Sequence, residues 1–173
     1  IMGKEEMEER CRGIAERNRP LVISAGGTVG NVRSLMGPEK ACLSLYDDPE
    51  LVHEMIEWRL SIVREYVFPL IERLKPEIVQ MWEDICGNHG MMVSPSHFKE
   101  FGGAYYREVV ECAKANGVAL VAVDCDGDVS ELVPLLSSFG VNGLYPFEAK
   151  GNRDLFSLRE RFPRFVMFGW LEK

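Results

Sequence analysis

The sequence has no long apolar run. Nothing in it approaches the roughly 18 consecutive apolar residues that a membrane-spanning helix needs, and its first residues carry no signal-peptide pattern. A membrane partner is therefore not expected, and the cytoplasm is the default location. Basic charge is also scarce: 20 Lys and Arg stand against 27 Asp and Glu, for a formal net charge of -7. Nucleic acid is not expected as a partner either, because phosphate binding wants a basic face. The five cysteines are odd in number, widely spaced and include no C-x-x-C pair. Neither a disulfide framework nor a structural zinc cluster fits that pattern, and buried free thiols are expected. The glycine-rich stretch Gly26-Gly27-Thr28-Val29-Gly30 lacks both G-x-G-x-x-G spacing and the lysine of a phosphate loop. It reads as a tight βα turn that lets backbone approach a ligand.

What is present is an ordinary globular composition, 46% hydrophobic and 27% charged, with apolar material for one core. Five short apolar runs organise it. Residues 118–123 are rich in β-branched side chains without a polar interruption, so they read as a strand buried on both faces. Similar runs occupy residues 21–25, 78–81, 143–147 and 165–168. Helical patterns lie between them. Residues 4–17 place Met7, Cys11 and Ile14 on one stripe, and residues 31–35 form a short helix stopped by Met36-Gly37-Pro38. Asp47-Asp48-Pro49 opens the longest helix with an acidic cap and a first-turn proline, Lys75-Pro76 closes it, and His53 on it reads as a surface residue. Ser94-Pro95 starts a helix striped by Phe98, Phe101, Tyr105, Val109 and Cys112 and ended by Gly117. Asp128 and Glu131 have capping-box spacing, and Asn152 or Asp154 caps a last helix.

Strands alternating with helices predict an α/β fold with a parallel sheet. A complete (β/α)8 TIM barrel needs about 250 residues, so the 173 residues read as one domain, an interior piece of such a barrel with about five parallel βα units, truncated at both ends.

In a parallel sheet the strand ends that carry acids all lie at one end. Asp124, Cys125 and Asp126 follow the central run, Trp82-Glu83-Asp84 follows the one before it, and Glu148 the one after. Carboxylates are costly to bury unless water, a metal or a substrate answers them. Glu83, Asp124 and Glu148, with His89 on the loop after Asp84, are therefore the candidate acid, base or catalytic groups. Of the adjacent acids Glu83 and Asp84, one should face the cleft while the other anchors the loop through backbone amides. Asp124 and Asp126, two apart on extended chain, can point to one side and hold a metal, share a proton or hold a cationic substrate group, while Cys125 packs on the other. Arg33, Asp84 and Lys173 are candidates for substrate binding, and Asp128 reads as structural.

The segments Trp82-Glu83-Asp84 through Val93-Ser94-Pro95, Phe98-Lys99-Glu100-Phe101 with Tyr105, Asp124-Cys125-Asp126-Gly127, Gly140-Val141-Asn142-Gly143, Pro146-Phe147-Glu148 and Phe168-Gly169-Trp170-Leu171-Glu172-Lys173 together resemble the uroporphyrinogen decarboxylase superfamily. The resemblance implies that the five strands are the third to seventh of the barrel. It also implies an enzyme that decarboxylates tetrapyrrole carboxylate side chains in porphyrin biosynthesis. Alternatives are a methyltransferase that uses a divalent metal, zinc, and acts on a methylated substrate with a corrinoid protein, or a non-catalytic relative; a homodimer is a further expectation. The resemblance puts the catalytic aspartate of the decarboxylases on a second strand that these residues do not include, and three segments depart from the family patterns. Asn31-Val32-Arg33-Ser34-Leu35 stands where the third-strand loop of the decarboxylases carries a tyrosine. The zinc-binding H-x-C of the methyltransferases is replaced by Asp124-Cys125-Asp126, and the G-N-L-D-P of the decarboxylases by Gly169-Trp170-Leu171-Glu172-Lys173.

Overall fold

A computed structural model describes residues 4–151 and 154–170. Its centre is one sheet of five strands: β1 (Val22–Ser24), β2 (Ile78–Trp82), β3 (Leu120–Asp124), β4 (Gly143–Phe147) and β5 (Val166–Gly169). They are neighbours in that order and every pairing is parallel. The registers set Met81 beside Val123, Trp82 beside Asp124 and Asp124 beside Tyr145, so one end of the sheet carries the acid-bearing strand ends together. This is a partial (β/α)8 barrel, as the alternating pattern predicted.

Strand parity divides the sheet into two faces. Val79, Met81, Val121, Val123 and Leu144 are buried, while their neighbours Gln80, Trp82, Asp124 and Tyr145 are half-exposed and Val22, Ser24, Val166 and Phe168 are exposed. The first face lies under helices, and each large apolar side chain removed from water there contributes about 1.5–3 kcal/mol. The second face is partly open, with Ala122 buried at its centre. The five cysteines are free thiols, and Cys11, Cys86 and Cys125 are buried.

The helices in chain order are α1 (Lys4–Ala15), α2 (Val29–Met36), α3 (Pro38–Asp47), α4 (Pro49–Ile62), α5 (Phe68–Leu74), α6 (Pro95–Ala115), α7 (Leu132–Phe139) and α8 (Leu155–Arg161). Among the described residues, none is long and apolar enough to cross a membrane. The Asp48 carboxylate accepts from the Leu51 amide at 3.3 Å and caps α4, and Ser94 caps α6 by accepting from the His97 amide at 3.2 Å. The stripe on α6 is buried from Phe98 to Val109, and the helix packs on α2, α4, α5 and α7.

Four local expectations are corrected. Pro38, read as a stop, also serves as the first residue of α3, where its missing N–H is no loss. The long helix from Pro49 is interrupted by a π-helical turn at Val63–Val67, next to Pro69, whose ring would crowd the carbonyl four residues back in a regular helix. The loop after Asp84 holds an antiparallel ribbon of Cys86–Gly87 and Gly90–Met91. The capping box at Asp128 does not form: Asp128 accepts from the Ser130 amide at 3.0 Å, and Glu131 starts α7 without a side-chain cap. Asp154 does cap α8, and Asn152 lies outside the described residues.

The glycine-rich turn after β1 packs closely on protein backbone. A Cβ on Gly27 would sit 1.7 Å from the Trp82 carbonyl oxygen, and one on Gly30 would sit 1.8 Å from that of Glu83. Neither neighbour can yield, because both belong to the β2 end. Gly27→Ala and Gly30→Ala should each lower stability by about 3 kcal/mol or more in urea unfolding. Gly13→Ala, in open space on α1, should change it by no more than about 1 kcal/mol, in the stabilising direction. Equal effects at the three positions would contradict the packing described.

Candidate active site

The two acids that end β2 have opposite fates. Glu83 keeps the parity of Val79 and Met81 and enters the helix-covered side, where it has no solvent exposure. Its Oε1 accepts from the Thr28 amide at 2.7 Å, the Thr28 hydroxyl at 2.7 Å and the Tyr106 hydroxyl at 2.9 Å, and its Oε2 accepts from the Gly30 amide at 2.8 Å. Burial pushes its carboxyl above the ordinary range, and the hydrogen bonds from Gly30, Thr28 and Tyr106 oppose that shift. The Tyr106 phenol is pushed well up by its own burial and by the nearby carboxylate. Glu83 is thus the anchor of the pair, and the expectation that it lies in the cleft as a catalytic acid is corrected: no part of it is open to a substrate.

Asp84 is the accessible member. Its backbone takes a left-handed conformation, φ 49°, that a non-glycine residue holds only against strain. There its carboxylate is paired with the Arg33 guanidinium, each side chain a little over a quarter exposed. Arg33 stands 5.8 Å from the Trp82 ring centre, so β2 and α2 present an arginine, an aspartate and an indole together.

Asp124 ends β3 on the open face, between Trp82 on one neighbouring strand and Tyr145 on the other. Its carboxyl is pushed up by burial first, then by the charges of Asp126 and Asp84. The Tyr145 phenol is pushed up to about 12 by burial and by Asp124. The Tyr145 ring meets Phe168 edge-on at 6.3 Å between centroids. A half-buried carboxyl with two acid neighbours and aromatic walls can carry a proton at higher pH than a free aspartate, and a site of this kind suits proton transfer to a bound substrate. Cys125 points the other way, buried against Cys86, as expected of a packing thiol.

The remaining candidates fall elsewhere on the same rim. Glu148 is half-buried, and its Oε2 accepts from the Gly127 amide at 3.1 Å, which ties the turn after β3 to the end of β4. His89 is exposed at the tip of the ribbon. It lines a cleft of about 870 Å³ with Lys150, Asp128 and Asp154, and neither Asp124 nor Asp126 is among the described residues around it. Lys173 lies outside the described residues.

The metal expectation for Asp124 and Asp126 does not fit a zinc centre. Among the described residues no three His, Cys, Asp or Glu are grouped to hold a metal ion, whereas zinc takes at least three protein ligands, usually nitrogen or sulfur. Sequence reading missed Trp82 and Tyr145, although strand parity with Asp124 could have found both. It also missed Thr28 and Tyr106, the partners of Glu83, for which the sequence carries no local signal.

A family model described as "Uroporphyrinogen decarboxylase (URO-D)" matches residues 8–153, most of the chain. No curated protein matches it.

Removing the Glu83 carboxylate would leave two buried amides and two buried hydroxyls without an acceptor. Glu83→Ala should therefore cost about 3–5 kcal/mol, and Tyr106→Phe about 1.5–3 kcal/mol for the loss of one bond to a charged acceptor. Urea unfolding measures both, and a Glu83→Ala variant within about 1 kcal/mol of the parent would show that the carboxylate is no anchor.

Proposed function

Because the chain belongs to the uroporphyrinogen decarboxylase family, we propose that it forms the acid-lined side of a carboxy-lyase active site, with a tetrapyrrole carboxylate side chain as substrate. The observation that carries this reading is Asp124, a half-buried carboxyl raised by burial and by two neighbouring aspartates, at the C-terminal end of a barrel strand. Loss of CO2 leaves the former C–C bonding pair on the side-chain carbon, and a proton must take the place of the carboxylate. In its protonated form Asp124 supplies that proton and is left as the carboxylate. Asp126 and Asp84 favour the protonated form beforehand. They also offer acceptors to substrate N–H groups. Arg33, held in place by Asp84, keeps further N–H groups for a second substrate carboxylate.

The open face around the acid suits a flat, partly apolar ring system, since Trp82, Tyr145 and Phe168 lie on it. Methyl transfer through a zinc centre and a corrinoid protein is less well supported, because the donors near Asp124 do not make up a zinc ligand set.

The reading predicts a pH dependence with a definite sign. The reactive form of Asp124 is the protonated one, so kcat should fall as pH rises through its raised pKa. Folding stability should fall over the same window, because the folded state binds that proton more tightly than the unfolded chain. Asp124→Asn, unable to give up a proton, should lose about 100-fold or more in kcat and flatten that limb of the stability profile. The measurement is CO2 release from a carboxylated tetrapyrrole by the intact protein, with urea unfolding across pH 4–8 as the approximate window around an aspartate raised from its usual value. Full activity in Asp124→Asn would reject the assignment.

A further inference from the structure

On the helix-covered side of the sheet, away from Asp124, α2 and α4 leave a cleft of about 340 Å³ between them. Its walls are largely apolar, from Val32 and Leu35 on α2 and Met55 and Ile56 on α4, and Arg59 brings a positive charge to it. The volume falls in the range of small-molecule sites, about 300–1,000 Å³, and an apolar lining with a few polar groups is their usual character.

Arg59 is the feature that calls for a ligand. Its guanidinium lies against Gly26, where a Cβ would stand 2.7 Å from both Nε and Nη2. Gly26, at φ +71°, thus provides both the turn and the room. The Arg59 Nε is buried and has no hydrogen-bond partner. Among the described residues the ion pairs are made by Arg17, Arg33 and Arg64, and none by Arg59. The neighbouring Tyr105 hydroxyl donates to the Ala25 carbonyl at 2.6 Å and its oxygen accepts from Arg59, so the guanidinium has a neutral partner there but no anion. A guanidinium drawn partly out of water without an anion is unfavourable, and a bound anion removes that defect.

We propose that this cleft binds a small monoanion with an apolar body, a carboxylic acid whose carboxylate meets Arg59 and whose chain lies along Leu35, Met55 and Ile56. A single guanidinium matches one carboxylate, to which it can give two parallel hydrogen bonds. A phosphate dianion would call for a second cation, and Arg59 is the one cationic side chain among the described residues around the cleft. The site is separate from the acid-lined rim, and its ligand is not the substrate proposed above.

Isothermal titration of the intact protein with octanoate tests this, with octanol and acetate as probes that each lack one half of the chemistry. Octanoate should bind at one saturable site, and octanol and acetate at least tenfold more weakly. Arg59→Met should weaken octanoate at least tenfold. Ser34→Glu, which puts a negative charge on an exposed position of the cleft, should weaken it several-fold without touching the core. Asp124→Asn should leave octanoate binding unchanged, so that failure of the active-site reading and failure of this one are told apart. The proposal is overturned if octanoate does not saturate, if octanol binds as well, if Ser34→Glu or a folded Arg59→Met binds like the parent, or if Asp124→Asn abolishes binding.

Discussion

The Glu83 carboxylate, out of contact with solvent among two backbone amides and two hydroxyls, is the constraint on which this rim depends. A carboxylate in that position is tolerable because four donors point at it, three to Oε1 and one to Oε2. Those donors belong to separate parts of the chain: Thr28 and Gly30 open α2, and Tyr106 lies in the middle of α6. One side chain therefore fixes the end of β2, the start of α2 and a helix on the outer layer relative to one another. The two glycines that let the α2 turn press on Trp82 and Glu83 are the steric counterpart of the same arrangement.

From that anchor the site follows by parity. With Glu83 turned into the helix layer, Trp82 before it faces the open side, and Asp84 after it needs a left-handed backbone to reach Arg33. The next strand repeats the division, with Asp124 on the open side and Cys125 buried behind it. The sheet register sets Asp124 between Trp82 and Tyr145, which is why its carboxyl meets both partial burial and acid neighbours. Acids at the ends of neighbouring strands thus do different work. Glu83 holds structure, whereas Asp124 has the environment to exchange a proton.

The fold was legible in the sequence because its signals are local. Apolar runs of strand length, a proline and an aspartate at Pro49 and Asp48, and a serine at Ser94 each announce an element by themselves. The site was legible only to the level of which strand ends carry acids. That Glu83 rather than Asp84 is the anchor depends on Thr28 and Tyr106, 55 and 23 residues away, and no spacing rule reports such a contact. His89 and Glu148 were legible as residues of this end of the sheet, but their surroundings were not, because a loop residue's position is set by the ribbon and turn it belongs to. The π-helical turn beside Pro69 escaped for a similar reason, since the apolar period continues through it.

Amide hydrogen exchange at Thr28 and Gly30 tests the central role of Glu83 most directly. These two amides lie in a loop and a first helical turn, where exchange is ordinarily fast. If they are held by a buried carboxylate, they should exchange as slowly as the β2 and β3 amides, through global unfolding. Exchange at rates typical of a surface loop, with the sheet still protected, would contradict the account.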